Sequence, residues 1–316
     1  MQSQDEQPET KQRVGARVAF LGNSILYYND CPRFLVNLGK GSSSDGSGSE
    51  HYRVEYQDSC LRGGTNLAQL WYRGNGMMSH GFTSDAAAKG KEIGDVGSPT
   101  VQDLLGGPST GGGNGDNNKW DYIVFNDHTQ GPARLDSRKA TQETLLEYYL
   151  PLILENEATV IIVETAAYRL SGINNSKDLG SAQEFQSLVR EGVQSYVETL
   201  QTKLPKLFPK PKVAPVGTAY LRVHDNNHAL WETLFDPYDN FHPSPSGTFL
   251  QGCVLHCTMF GSPPPLPSTE KEIVYLWRDA RVMHNVKHGE NRRMPSVEEA
   301  EYLWNVANDI CSETLS

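Results

Sequence analysis

A hydroxyl, an imidazole and a carboxylate are the side chains of nucleophilic acyl chemistry. This chain carries them in two short runs, Gly22-Asn23-Ser24 near its start and Asp239-Asn240-Phe241-His242-Pro243-Ser244 near its end. A serine hydroxyl is a weak nucleophile until a base takes its proton, and an imidazole hydrogen-bonded to it is the usual base. Ser24 and His242 fit those roles. Asp239, on the same run as His242, is spaced to curl back and accept the other imidazole N–H, fixing the tautomer and stabilising the imidazolium as it forms. Asp236 offers an alternative carboxylate, with Pro237 suited to a turn, but the spacing to His242 favours Asp239. The oxyanion of a tetrahedral intermediate needs preorganised donors, for which the Ser24 N–H, a glycine N–H from Gly63-Gly64-Thr65 and the Asn126 amide are candidates.

Such residues must be brought together by the elements that precede them. Apolar runs at 18–21, 52–56, 120–125, 159–163 and 212–216 read as five strands. Helical spacing covers 32–38, 101–105, 140–150 up to Pro151, 181–204 up to Pro205, and 296–310 after Pro295, with a further apolar stretch at 245–260. This alternation predicts an α/β chain, a three-layer α/β/α sandwich around a mainly parallel five-stranded sheet. In such sheets ligands bind outside the carboxyl ends of the strands. Ser24 follows the first strand, Gly63 and Gly64 the second, and Asn126 the third. His128 follows the third strand as well, and Tyr168 and Arg169 the fourth, so these, with Gly63, are candidate substrate contacts. Residues 1–13 read as a disordered tail and 14–316 as one domain, with a mobile Gly/Ser-rich loop at 39–50 and a Gly-rich surface insertion at about 74–119.

In this order the four blocks resemble those of the SGNH hydrolases, the GDSL-like, lipase-related family with serine, glycine, asparagine and histidine in separate blocks. The likeness is to an uncharacterised, mainly bacterial subgroup whose first block reads GNS followed by Tyr-Asn-Asp; here the run is GNSILYYND. It extends to NDHTQGPA at 126–133, to Pro215-Val216-Gly217 and to HPSPSGTFLQGC at 242–253. The insertion and the tail beyond Pro263 have no counterpart in it. Asn23 stands where the wider family usually carries aspartate, a departure the subgroup shares. The resemblance implies a flavodoxin-like sandwich and a carboxylic ester hydrolase that works through an acyl-serine intermediate without a cofactor. Its second block selects Gly64 when counted back from Leu67 and Gly63 when counted from Thr65; Gly64 is preferred. It also implies a small-molecule or carbohydrate substrate, such as a short acyl group on a sugar or other polar alcohol, although the family includes lipases and thioesterases. An acyltransferase would use the same residues. A silent binding module would keep the pocket without turnover, and the intact triad argues against it.

Composition narrows the alternatives. With 316 residues, 37% hydrophobic and 21% charged, the chain can bury a sizeable core. A net charge of -10 and the lack of a basic run argue against a nucleic-acid partner. No run approaches the roughly 18 apolar residues of a membrane span. Five scattered cysteines suit neither a disulfide scaffold nor a zinc site. His224 and His228 could share a helix face, but no third ligand follows at a usable spacing, so no metal is expected. Cys253, His256 and Cys257 read as packing residues. Residues 1–13 hold no apolar leader, so the chain as it stands reads as cytoplasmic, or as secreted if a leader has been removed.

Overall fold

The computed structural model describes residues 15–40, 52–77, 97–106, 119–170, 174–278 and 293–315. The predicted tail, residues 41–50 of the predicted loop, and 78–96 and 107–118 of the predicted insertion lie outside the described residues.

The first strand, β1 (Gly15–Gly22), is buried along its whole length, as a strand covered on both faces must be. Its alternate side chains serve two cores: Val18 and Phe20 pack on one side of the sheet, Ala19 and Leu21 on the other. It is joined by β2 (Arg53–Leu61), β3 (Tyr122–Phe125), β4 (Thr159–Val163) and β5 (Lys212–Ala214). All pairings are parallel, in the order β2-β1-β3-β4-β5. The strand order therefore reverses between β1 and β3, which opens a crevice at their carboxyl ends.

Two helical layers cover the sheet. The Val18 side carries α1 (Ser24–Tyr27), α2 (Cys31–Lys40), α8 (Val216–Asn226), α9 (His228–Glu232), α10 (Pro245–Phe260), α11 (Glu270–Leu276) and α12 (Val297–Leu315). The other side carries α3 (Leu67–Arg73), α4 (Val101–Gly106), α5 (Leu135–Thr144), α6 (Leu150–Asn156) and α7 (Ala182–Gln201). The fold is thus the expected three-layer α/β/α sandwich, with a sheet that is wholly parallel.

Several boundaries differ from the sequence reading, for identifiable reasons. Gly39 and Lys40 belong to α2 and not to the predicted loop. Strand β2 runs on through the polar Gln57-Asp58-Ser59 because a later segment covers its edge. Ser98 N–H donates to Ser59 O at 2.8 Å, and Ser98 Oγ donates to Asp58 Oδ2 at 2.6 Å. At Gly97 a Cβ would lie 2.0 Å from Ser59 O, so only glycine fits this approach. Residues 97–106 of the predicted insertion are consequently packed. Val101, Leu104 and Leu105 are buried, and Trp120 Nε1 and Asn156 Nδ2 donate to the Leu104 and Leu105 carbonyls.

Pro151 does not end its helix. A π segment, Leu145–Tyr149, widens the turn before it, and the Leu150 N–H reaches Leu145 O. The proline then falls in the first turn of α6, where its missing N–H matters little. The fifth strand stops at Ala214, because Pro215 has no N–H to continue the ladder and Val216 starts α8. The short helices α3, α9 and α11 and the whole of α8 were not expected.

Candidate active site

Ser24 is the first residue of α1, directly after the carboxyl end of β1. Asn23 caps this helix: its Oδ1 accepts the Ile25 N–H at 3.1 Å. Its Nδ2 donates to Thr65 O at 3.1 Å, tying the first block to the second. An aspartate could also cap the helix but has no donor for Thr65, which gives the Asn23 departure a physical meaning. Gly22 is required by close approach, since a Cβ there would lie 2.7 Å from Asn126 O. Gly64 has φ +64°, and a Cβ there would meet nothing within 4 Å. Tyr27 lies beside Ser24 on α1, and burial pushes its phenol up from its ordinary value.

The loop bearing His242 is closed on itself. Phe235 and Pro243 form an antiparallel bridge, and the Asp236 N–H donates to His242 O at 2.8 Å. Ser244 caps α10 and donates to Thr233 O. Asp239 Oδ1 accepts the N–H groups of Phe241 and His242 at 3.0 and 2.8 Å, and Oδ2 lies 2.6 Å from His242 Nδ1. Burial pushes the Asp239 carboxyl up, but the bond to His242, the imidazole charge and the two N–H groups outweigh it, so the carboxyl sits below the usual aspartate value. His242 Nε2 is buried and has no hydrogen-bond partner among the described residues. Asp236 instead accepts the Tyr238 N–H and shapes the turn.

A cavity of about 620 Å³ opens between these blocks. Ser24, Gly63, Gly64, His128, Tyr168 and His242 all line it, together with Thr129, Gln130, Asn240 and Phe241. His128 Nδ1 accepts the Gln130 N–H at 3.3 Å, and burial pushes its pKa down, so the neutral ring carries its hydrogen on Nε2. The Tyr168 hydroxyl accepts from Gln130 Nε2 at 3.2 Å. Three predicted residues do not line the cavity. Asp239 stands behind His242. Asn126 is fully buried beneath, with Nδ2 donating to Asp127 O at 3.1 Å and Oδ1 without a partner. Arg169 is also turned away, to Glu232 at 3.0 Å and to Asp239 O at 3.3 Å.

Two buried carboxylates at strand ends went unnoticed in the sequence. Asp127, just beyond β3, accepts four donors: the N–H groups of Leu67 and His128 and the hydroxyls of Thr141 and Tyr196. Burial pushes its carboxyl up while these donors pull it back. Glu164, just beyond β4, accepts from Gln186 Nε2 at 2.7 Å and from Thr218 at 3.0 Å. The available signal was an acidic residue within two positions of the end of a mostly apolar strand. Among the described residues no group of ligating side chains could hold a metal ion. His224 and His228 lie on separate helices, α8 and α9, with ring centroids 4.8 Å apart beside Trp231. All five cysteines are free and buried. Among the described residues no helix is long and apolar enough to cross a membrane.

No family model matches the sequence, and no curated protein matches it. Among solved structures, the chain is similar to a candidate SGNH hydrolase from Slackia heliotrinireducens, with a TM-score of 0.50 and 21% identity over 78% of this chain and 99% of that one. It is also similar to a DUF4886 family protein from Bacteroides uniformis, with a TM-score of 0.53 and 15% identity over 86% of this chain and 99% of that one. With its wholly parallel sheet between two helical layers, the chain shares the fold of these two solved structures, one of them a candidate SGNH hydrolase.

Proposed function

We propose that the protein is a serine esterase that hydrolyses a carboxylic ester through an acyl-Ser24 intermediate. The observation that carries this reading is the pairing of Asp239 with His242 Nδ1 at 2.6 Å while the buried Nε2 has no partner, on the wall of a cavity that also exposes Ser24. A buried nitrogen left unpaired is costly unless a reacting group is meant to meet it. In the first half-reaction the Ser24 hydroxyl gives its proton to His242 Nε2 and attacks the ester carbonyl. His242 then passes that proton to the departing alcohol. In the second half water is deprotonated by His242 and attacks the acyl-serine, releasing the acid and restoring Ser24. Asp239 holds the imidazole tautomer and faces its charge throughout.

The Ser24 and Gly64 N–H groups and the Asn126 amide are proposed to hold the oxyanion. For Asn126 this requires its amide to exchange the Asp127 carbonyl for the substrate oxygen. Apart from its two histidines, the cavity is lined by uncharged side chains: polar ones such as Thr129, Gln130 and Asn240, the aromatic Tyr168 and Phe241, and the aliphatic Ile25 and Leu170. That lining favours an uncharged polar alcohol, such as a sugar carrying a short acyl group, over a charged one.

The test is release of free acid from nitrophenyl esters of increasing chain length and from acetylated sugars, by wild type and Ser24→Ala. The reading expects Ser24-dependent release, fastest with short acyl groups. Acid release that persists undiminished in Ser24→Ala overturns it, and transfer to an added sugar acceptor in place of acid release would make the protein an acyltransferase.

A further inference from the structure

The run Tyr28-Asn29-Asp30, between α1 and α2, has no part in the acyl chemistry just described, yet it is the most conformationally unusual stretch near the site. Asn29 and Asp30 have φ of +53° and +50°. Two consecutive non-glycine residues in the left-handed region are strained, although Asn and Asp tolerate it best. Both are fully buried. Asn29 Nδ2 donates to Pro243 O at 2.9 Å and to Thr248 Oγ1 at 3.0 Å, so the run is fastened to the residue after His242 and to α10. Asp30 pairs with Arg33 at 3.5 Å on the first turn of α2.

This strained turn sets the ring of Tyr28 flat on the imidazole of His242, with centroids 3.6 Å apart and planes 5° from parallel. Phe241 also touches the imidazole, but tilted by 47° at 4.2 Å. Two neutral rings avoid direct face-to-face stacking, because their negative faces repel. A cation over the same face is attracted. The parallel stack is therefore better matched to the imidazolium, formed when His242 takes the proton of Ser24 or of the attacking water, than to the neutral imidazole.

We propose that Tyr28 is a positioning residue for His242: its face fixes the plane of the imidazole and favours the charged ring of the transition state, while Asp239 acts at the ring edge. The inference rests on the reading of His242 as the base. It also gives the strained Tyr-Asn-Asp turn a purpose, which is to hold an aromatic face where a relaxed loop would not.

The test uses the full chain, with active sites counted by fluorophosphonate titration so that rates refer to competent molecules. Tyr28→Leu should lower kcat roughly tenfold with KM nearly unchanged. Tyr28→Phe, which keeps the face, should stay within about threefold of wild type. Phenylalanines carrying one, two and three ring fluorines at position 28 keep the shape and drain the face of electron density, so kcat should fall with each fluorine. In wild type the His242 Hε1 resonance should be displaced upfield by the Tyr28 ring current and return to its ordinary position in Tyr28→Leu. A flat fluorine series, or an Hε1 resonance at its ordinary position in wild type, overturns the inference. If wild type has no Ser24-dependent hydrolysis at all, it is the esterase reading that falls, and the NMR displacement still reports on the stack.

Discussion

Two regions of the molecule, the ends of the strands and the loop that bears His242, hold carboxylates and use them in opposite ways. On the shelf at the strand ends, Asp127 is met by four fixed donors and Glu164 by an amide and a hydroxyl, with Arg190 at 3.7 Å. In the loop above, Asp239 is met by two backbone N–H groups and by an imidazole whose far nitrogen is open. A carboxylate saturated by donors that do not titrate is a clamp: Asp127 fastens the start of α3, just after Gly63 and Gly64, to β3, α5 and α7. A carboxylate whose partner can gain and lose a proton is machinery. Burial differs as well, since Asp127 and Glu164 are buried and Asp239 is half-buried, but what decides their use is the chemistry of the partner.

The largest effects should come from the loop. Ser24→Ala and His242→Ala are each expected to lower kcat by roughly a millionfold, and Asp239→Asn by about ten-thousandfold, with melting temperatures near wild type. The Ser24→Ala/His242→Ala double variant should be no slower than either single, since the residues act as a unit. Steady-state kinetics with circular dichroism melts check this, and additive losses would show that the two act independently.

Asn126 lies between the two regions and sharpens the comparison. As an oxyanion donor it should lose about a hundredfold or more in kcat on Asn126→Ala, with little change in KM or stability. As part of the shelf alone it should lose about 1 to 3 kcal/mol of stability with kcat preserved. Kinetics and urea unfolding on the same preparation decide between them.

Asp127→Ala should do the reverse of Asp239→Asn. It strands four donors and is expected to cost about 3 kcal/mol or more in urea unfolding, while the molecules that remain folded keep kcat within about tenfold. Loss of kcat without loss of stability would move Asp127 into the machinery and break the contrast.

Asn23→Asp should cost about 1 kcal/mol, because the Thr65 carbonyl loses its donor and gains a repelling oxygen, partly offset by the better helix cap. A urea series measures it. The smallest effect concerns pH. The Asp239 carboxyl sits below its ordinary value in the folded chain. Its contribution to stability is therefore complete above roughly pH 4 and is lost as pH falls through the folded value. The difference in stability between wild type and Asp239→Asn should shrink as the pH falls below about 4.

The sequence made the sheet and the block order legible because both are local. An apolar strand such as Thr159–Val163 is visible in its own residues, and so is a serine at a strand end. The Asp239 to His242 spacing is equally local. What stayed hidden depends on contacts far along the chain. Asp127 reads as any loop acid until Tyr196, 69 residues away, is brought to it. Strand β2 looks short until Ser98 closes its edge, and Pro151 looks like a stop until the π segment absorbs it. Tyr28 was part of a quoted motif, but nothing in its neighbours announces that its ring will meet a residue more than two hundred positions later.

The central claim is that Ser24 is a nucleophile activated by His242, and the most direct measurement is covalent capture. A fluorophosphonate probe, followed by intact-mass and peptide analysis, should add one adduct to wild type, located on the peptide carrying Ser24. Ser24→Ala should take up none, and His242→Ala should label far more slowly. Asp127→Asn, which keeps the loop intact, should label at close to the wild-type rate. An adduct on another residue, or labelling of His242→Ala at the wild-type rate, would contradict the account.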